Sequence, residues 1–238
     1  MDKKKRTSRH VTCYMCNRPS TSKEHVPPLC FFPEEDELPG SGGFRKNLIT
    51  VPSCDKHNIE KSADDQYLCT VLAIHFENNP IAQTHFSKKI MRALRRKPAM
   101  IIGFFQNLMP AVVRGSQSAV FHVDRPRFDR AIDHIARGVY LHHFNDKYTG
   151  KTDVMSYSLF DVSSPNRQRV NIALQEWRQY SDTFLATQPR FGNNQAVFYY
   201  QTVIDADTQR VGIRLVFYEG FVTDVYFRDP RSINSSAA

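Results

Sequence analysis

No stretch of this chain is apolar for long enough to cross a bilayer. The apolar run over residues 99–105 falls far short of the roughly 20 residues a spanning helix needs. No apolar run follows the basic cluster Lys3-Lys4-Lys5-Arg6, so no secretory leader is expected. An even cysteine set is missing too: the five present do not make the paired framework of a small secreted protein. There is no Walker-type glycine loop, no dinucleotide-binding glycine fingerprint and no serine-hydrolase elbow. Internal repeats and long low-complexity tracts are absent as well. These gaps argue against membrane, secreted, nucleotide-hydrolysing and serine-hydrolase classes. They leave a reducing, cytoplasmic location as the expectation.

What is present is basic and foldable. The 238 residues are 41% hydrophobic, enough for a packed core in one small module plus an ordinary domain. The net charge of +8 suits a polyanionic partner such as nucleic acid. The 17 Phe and 10 Tyr residues are the right type to stack on bases, but core packing is their expected role.

The pattern along the chain predicts an α+β protein. Residues 1–10 form a flexible basic tail and 11–65 a first module. Residues 66–230 form an accessory domain, helical over 66–190 with an antiparallel sheet over 195–228, and 231–238 a disordered tail. Short strands are expected at 24–26, 48–51 and 119–123. Helices are expected at 55–78, 81–96, 127–144 and 167–185 from their apolar spacing and stop signals. Segments 196–203, 211–218 and Phe221–Phe227, rich in Val, Ile, Phe and Tyr, predict a β meander.

Two chelating pairs stand out, Cys13-x-x-Cys16 and Cys54-x-x-His57. Thiolate and imidazole are the preferred ligands of zinc, and four of them close a tetrahedral structural site. His10 and Cys30 are rival ligands. Between and beside the pairs lie Glu24-His25, Asn47 and Asn58-x-x-Lys61, polar residues that structural zinc does not need. Neighbours on a strand face opposite ways, so Glu24 and His25 reach one point only if the strand is bent or bulged. Pro27-Pro28 just beyond offers such an irregularity.

Cys13-x-x-Cys16, Glu24-His25-Val26-Pro27-Pro28 and Asn47-Leu48-Ile49-Thr50-Val51-Pro52-x-Cys54-x-x-His57-Asn58-x-x-Lys61 together resemble the HNH endonucleases. These are zinc-containing members of the ββα-metal class. The resemblance covers about residues 11–65 and nothing beyond. It implies a hairpin, a loop and a helix, stapled by zinc on Cys13, Cys16, Cys54 and His57. It implies that His25 is the general base, since histidine exchanges protons near physiological pH. It implies that Asn47 orients His25, and that Glu24 and Asn58 hold a catalytic Mg²⁺ or Mn²⁺ through hard oxygen donors. Lys61, one turn past Asn58, would face phosphate. The chain departs from the family pattern in having His57 as fourth zinc ligand, Glu24 for aspartate, Asn58 for histidine and a longer gap before Cys54.

The implied function is phosphodiester hydrolysis in nucleic acid, with DNA as the expected substrate. The alternatives are a catalytically inactive zinc module that binds nucleic acid or protein, and a nuclease effector switched on by a partner in bacterial or phage defence. A homo-oligomer or a regulatory protein partner fits each. Lys88, Lys89, Arg92, Arg95 and Arg96 are candidate phosphate contacts, against the plainer reading of a solvated helix face. His142-His143 reads as a cationic cap at a helix C-terminus. Gly138 inside a helix costs about 1 kcal/mol against alanine and signals close packing.

Overall fold

The computed structural model describes residues 11–40, 43–59, 62–96, 109–113, 116–161 and 164–231. The tail over 1–10, His10, Lys61 and the residues after 231 lie outside them.

The chain is α+β, with five α-helices and eight strands among the described residues. Strand β1 (Ser22–His25) pairs antiparallel with β2 (Thr50–Ser53), in the register Glu24↔Val51 and His25↔Thr50. The short helix α1 (Asp55–Ile59) starts directly after β2, where the N–H of Asn58 donates to the carbonyl of Cys54 at 3.0 Å. The Asp55 carboxylate sits at its start, favourable for the N-terminal dipole, and accepts from Thr21 Oγ1 at 2.6 Å.

Of the helix expected over 55–78, the described residues show α1 and, over Ser62–Ala73, α2, while 74–78 are not helical. In α2, Asp64 and Asp65 place negative charge near the N-terminal end of the described segment. Asn78 ends it by donating its side-chain N–H to the Leu72 carbonyl at 2.6 Å. Helix α3 (Pro80–Arg96) opens on proline, and the Asn79 side chain accepts from the N–H of Ala82 at 3.2 Å. Strands β3 (Met109–Val113) and β4 (Ser116–Val120) form a separate hairpin, which places the strand expected at 119–123 three residues earlier.

Helix α4 (Arg125–Phe144) is the central support. Asp124 caps it by accepting from the N–H of Arg127 at 3.1 Å, and Asn145 closes it in the left-handed conformation (φ 52°). Phe128, Ile132, Ile135 and Val139 recur at helical spacing and are all buried. Each such side chain contributes about 1.5–3 kcal/mol relative to exposure.

The C-terminal sheet has the order β5-β8-β7-β6, antiparallel throughout, from β5 (Thr152–Ser156), β6 (Phe198–Ile204), β7 (Val211–Phe217) and β8 (Phe221–Phe227). Both of its faces are covered. Ile213, Leu215 and Val225 join the main core, while Val216 and Val222 pack with Tyr157 and Tyr199 on the other side. Helix α5 (Arg167–Asp182) docks near that second cluster through Trp177 Nε1, which donates to Tyr226 Oη at 3.1 Å. The buried Arg214 on β7 lies directly opposite Asp224 on β8, and the two make a bidentate pair at 2.7 and 2.9 Å. The main core is continuous from Cys13, Tyr14, Val26 and Val51 through α2 and α4 to the sheet, so packing does not break near residue 65.

Candidate metal centre

Backbone geometry builds the knuckle first. The N–H of Cys13 donates to the Arg18 carbonyl at 2.9 Å, and Thr12 bridges to Pro19, folding 12–19 back on itself. The N–H of Tyr14 then donates to Pro52 on β2 at 2.8 Å, which brings the knuckle against the end of that strand. Cys54 and His57 arrive from the strand end and from α1.

The ligand atoms of Cys13, Cys16, Cys54 and His57 all lie within 4.8 Å of one another, and this is the one such group among the described residues. Cys16 Sγ and Cys54 Sγ are 3.8 Å apart. His57 Nδ1 is 3.4 Å from Cys54 Sγ and 3.5 Å from Cys13 Sγ. Two sulfurs about 2.3 Å from one zinc at the tetrahedral angle are about 3.8 Å apart, and a sulfur with a nitrogen at about 2.0 Å gives about 3.5 Å. The spacing therefore fits a tetrahedral ion, and three sulfurs with one imidazole suit zinc. Burial pushes the Cys13 thiol up, whereas the N–H of His57 at the start of α1 holds the Cys54 thiol down. Cys30 is not a ligand: its Sγ donates elsewhere, to the carbonyl of Asp65 at 3.6 Å.

Two supports escaped the sequence reading. Lys147, just past α4, donates Nζ to the Cys16 carbonyl and to Thr12 Oγ1, both at 2.8 Å, and so pins the knuckle. The His57 ring meets His134 of α4 edge-on, with centroids 6.2 Å apart. Neither shows in local spacing, because both partners come from the far end of the fold.

The second set of residues is only partly assembled. Glu24 is buried, and Tyr14 Oη donates to its Oε1 at 3.4 Å. Asn58 Nδ2 donates to Ser22 Oγ at 3.0 Å. Ser22 and Glu24 share one face of β1, so Asn58 stands on the Glu24 side of the hairpin. His25 is half-buried on the other face, and no hydrogen bond involves its imidazole among the described residues. The ladder stays regular through His25, so no bulge turns it toward Glu24. Asn47 does not orient His25. It is exposed with φ 53°, and its carbonyl accepts from Asn193 Nδ2 at 2.7 Å. Lys61 lies outside the described residues. Tyr14 is an addition the sequence hid, since nothing in a Cys-x-x-Cys loop marks its second residue as inward.

The basic face of α3 is largely turned to the protein itself. Lys88 Nζ donates to the Glu37 carbonyl, and Lys89 Nζ to the Cys30 carbonyl at 2.9 Å. Arg92 pairs with Glu34 at 2.8 Å and with Glu37. Of the five, Lys88, Arg95 and Arg96 are exposed, and Lys89 and Arg92 are half-buried. His143 is likewise not a cationic cap. It packs against Phe144, Phe191 and Tyr200 at 4.7, 4.8 and 5.7 Å, and burial pushes its imidazole below the ordinary range, toward the neutral form.

No family model, curated protein or solved structure matches this chain.

Proposed function

We propose that the chain is a metal-dependent nuclease of the HNH type, with structural zinc on Cys13, Cys16, Cys54 and His57. The observation that carries this is the buried Glu24 carboxylate, held by the tyrosine inside the metal knuckle, on the strand face shared with Asn58. A carboxylate and an amide oxygen on one side of a hairpin are the hard donors that Mg²⁺ or Mn²⁺ takes. Such a cation, when bound, supplies polarisation of the scissile phosphate. Within the chain, His25 accepts the proton of the attacking water at an imidazole nitrogen. Glu24 and Asn58 position the phosphate end. Arg95, Arg96 and the net charge of +8 favour a nucleic-acid polyanion, with DNA the substrate we assign.

A second reading, a zinc module that binds without cutting, is favoured by one observation: His25 and Glu24 face opposite sides of β1. Plasmid and RNA cleavage assays with Mg²⁺ or Mn²⁺, run beside His25→Ala, separate the two. Cleavage lost in the variant at unchanged zinc content supports the nuclease. No cleavage by either, alongside retained binding, supports the module, and equal cleavage by wild type and variant overturns His25 as the proton acceptor.

A further inference from the structure

Two cysteines remain outside the metal centre, and they meet. Cys30 sits in the single turn Leu29–Phe31 that follows β1, and Cys69 on the inner face of α2. Cys69 Sγ donates to the Cys30 carbonyl at 3.1 Å, and the two sulfurs are within hydrogen-bonding reach of each other. Cys69 is fully buried; Cys30 is partly exposed.

Lys89 of α3 completes the cluster. Its Nζ lies 3.0 Å from Cys69 Sγ and 2.9 Å from the Cys30 carbonyl. Among the described residues no carboxylate pairs with it. The nearby Glu37 is engaged by His85, at 2.6 Å, and by Arg92. An enclosed ammonium with no anion beside it carries a desolvation cost of several kcal/mol, which a thiolate offsets. The directions of titration agree with that picture. Burial alone would push Lys89 down, but the two sulfurs hold it up, while the Cys30 hydrogen bond with Lys89 and His85 keeps the Cys69 thiol well below its ordinary range. The two thiols thus lie next to a fixed positive charge that favours loss of a proton from the Cys69 sulfur.

We propose that Cys30 and Cys69 form an oxidation site for hydroperoxides, closing to an intramolecular disulfide that Lys89 keeps easy to reduce. The Cys69 thiolate attacks hydrogen peroxide, reached from the partly exposed Cys30 side. An S–O bond forms, the O–O bond breaks, and the hydroxide released takes the Cys30 proton to become water. The Cys30 thiolate then displaces hydroxide from the Cys69 sulfenic acid, forming S–S and breaking S–O. Two electrons pass from the sulfurs to the peroxide. Because Lys89 stabilises the thiolate, it stabilises the reduced state, and the disulfide is correspondingly readily reduced. The site stands whether or not the chain cleaves nucleic acid.

The test uses the full chain loaded with zinc and titrated with hydrogen peroxide. The expected product is lighter by about 2 Da, the two hydrogens lost on closing a disulfide. Its digest yields a peptide joining Cys30 to Cys69, its zinc is retained, and reduced glutathione restores the thiols. Lys89→Met should form the same link about tenfold more slowly and need more glutathione to open it, because the reduced state loses its counter-charge. Absence of the Cys30–Cys69 peptide in folded, zinc-loaded wild type overturns the proposal. So does oxidation confined to Cys13, Cys16 and Cys54 with zinc loss, or a Lys89→Met disulfide reduced as readily as that of wild type.

Discussion

Tyr14 and His143 show how single side chains acquire roles that their sequence neighbours do not announce. Tyr14 lies between two of the candidate metal ligands, yet its ring is buried and its hydroxyl reaches Glu24 at 3.4 Å. Tyr14→Phe keeps the ring and removes that donor. Loss of one buried hydrogen bond of this length should lower stability by about 1 kcal/mol, with zinc content unchanged. Urea unfolding and metal analysis check both; zinc loss in the variant would mean the ring, not the hydroxyl, matters. His143 predicts a pH effect. Its imidazole is held below the ordinary value of 6.5, first by burial, then by His142 and Arg231. The folded state therefore binds the proton less readily than the unfolded one. The stability from neutral His143 is fully present above about 6.5 and is lost as pH falls through the lower folded value. Melting temperature should drop on acidification in wild type, and drop less in His143→Gln over the same pH range.

At the level of elements, α4 packs closely against the residue that follows β1. A Cβ added at Gly138 would lie 2.6 Å from Val26 Cγ2, the side chain next to His25. In an open helix, glycine to alanine gains about 1 kcal/mol from propensity. Here overpacking should win, so Gly138→Ala should cost about 1–3 kcal/mol net. Adding Val26→Ala should return part of that loss, which a double-mutant cycle in denaturant measures. A cycle with no coupling would disprove the contact. The sequence announced glycine in a helix but could not name Val26, 112 positions away. The metal centre was legible because its ligands come in local pairs: Cys13 with Cys16, Cys54 with His57. Strand β5 was missed because its weak pattern becomes a strand only beside β8, some 70 residues on. Lys88, Lys89 and Arg92 looked like a basic stripe, since charge count carries no direction. Only the packing of α3 against 30–37 ties their head groups back to the protein.

Across the whole molecule the decisive fact is that the metal knuckle and the sheet share one core. Cys13 and Tyr14 belong to the same buried cluster as Val139 on α4 and Leu215 on β7. Lys147 adds a polar tie from the end of α4 to the Cys16 carbonyl. A module joined to its neighbour only by a linker would melt alone when stripped of metal. This one cannot, because Val26, Val51 and the knuckle residues cover apolar surface of α4 that the sheet cannot cover. Structural zinc in small units contributes on the order of 10 kcal/mol, comparable with the total stability of a domain. Chelation should therefore lower the melting temperature of the entire chain in one cooperative transition. Near-ultraviolet signals from Trp177, on α5 far along the sequence, should disappear with that same transition. Two separated transitions, or an unchanged Trp177 signal after zinc removal, would show that 11–65 folds apart from the rest.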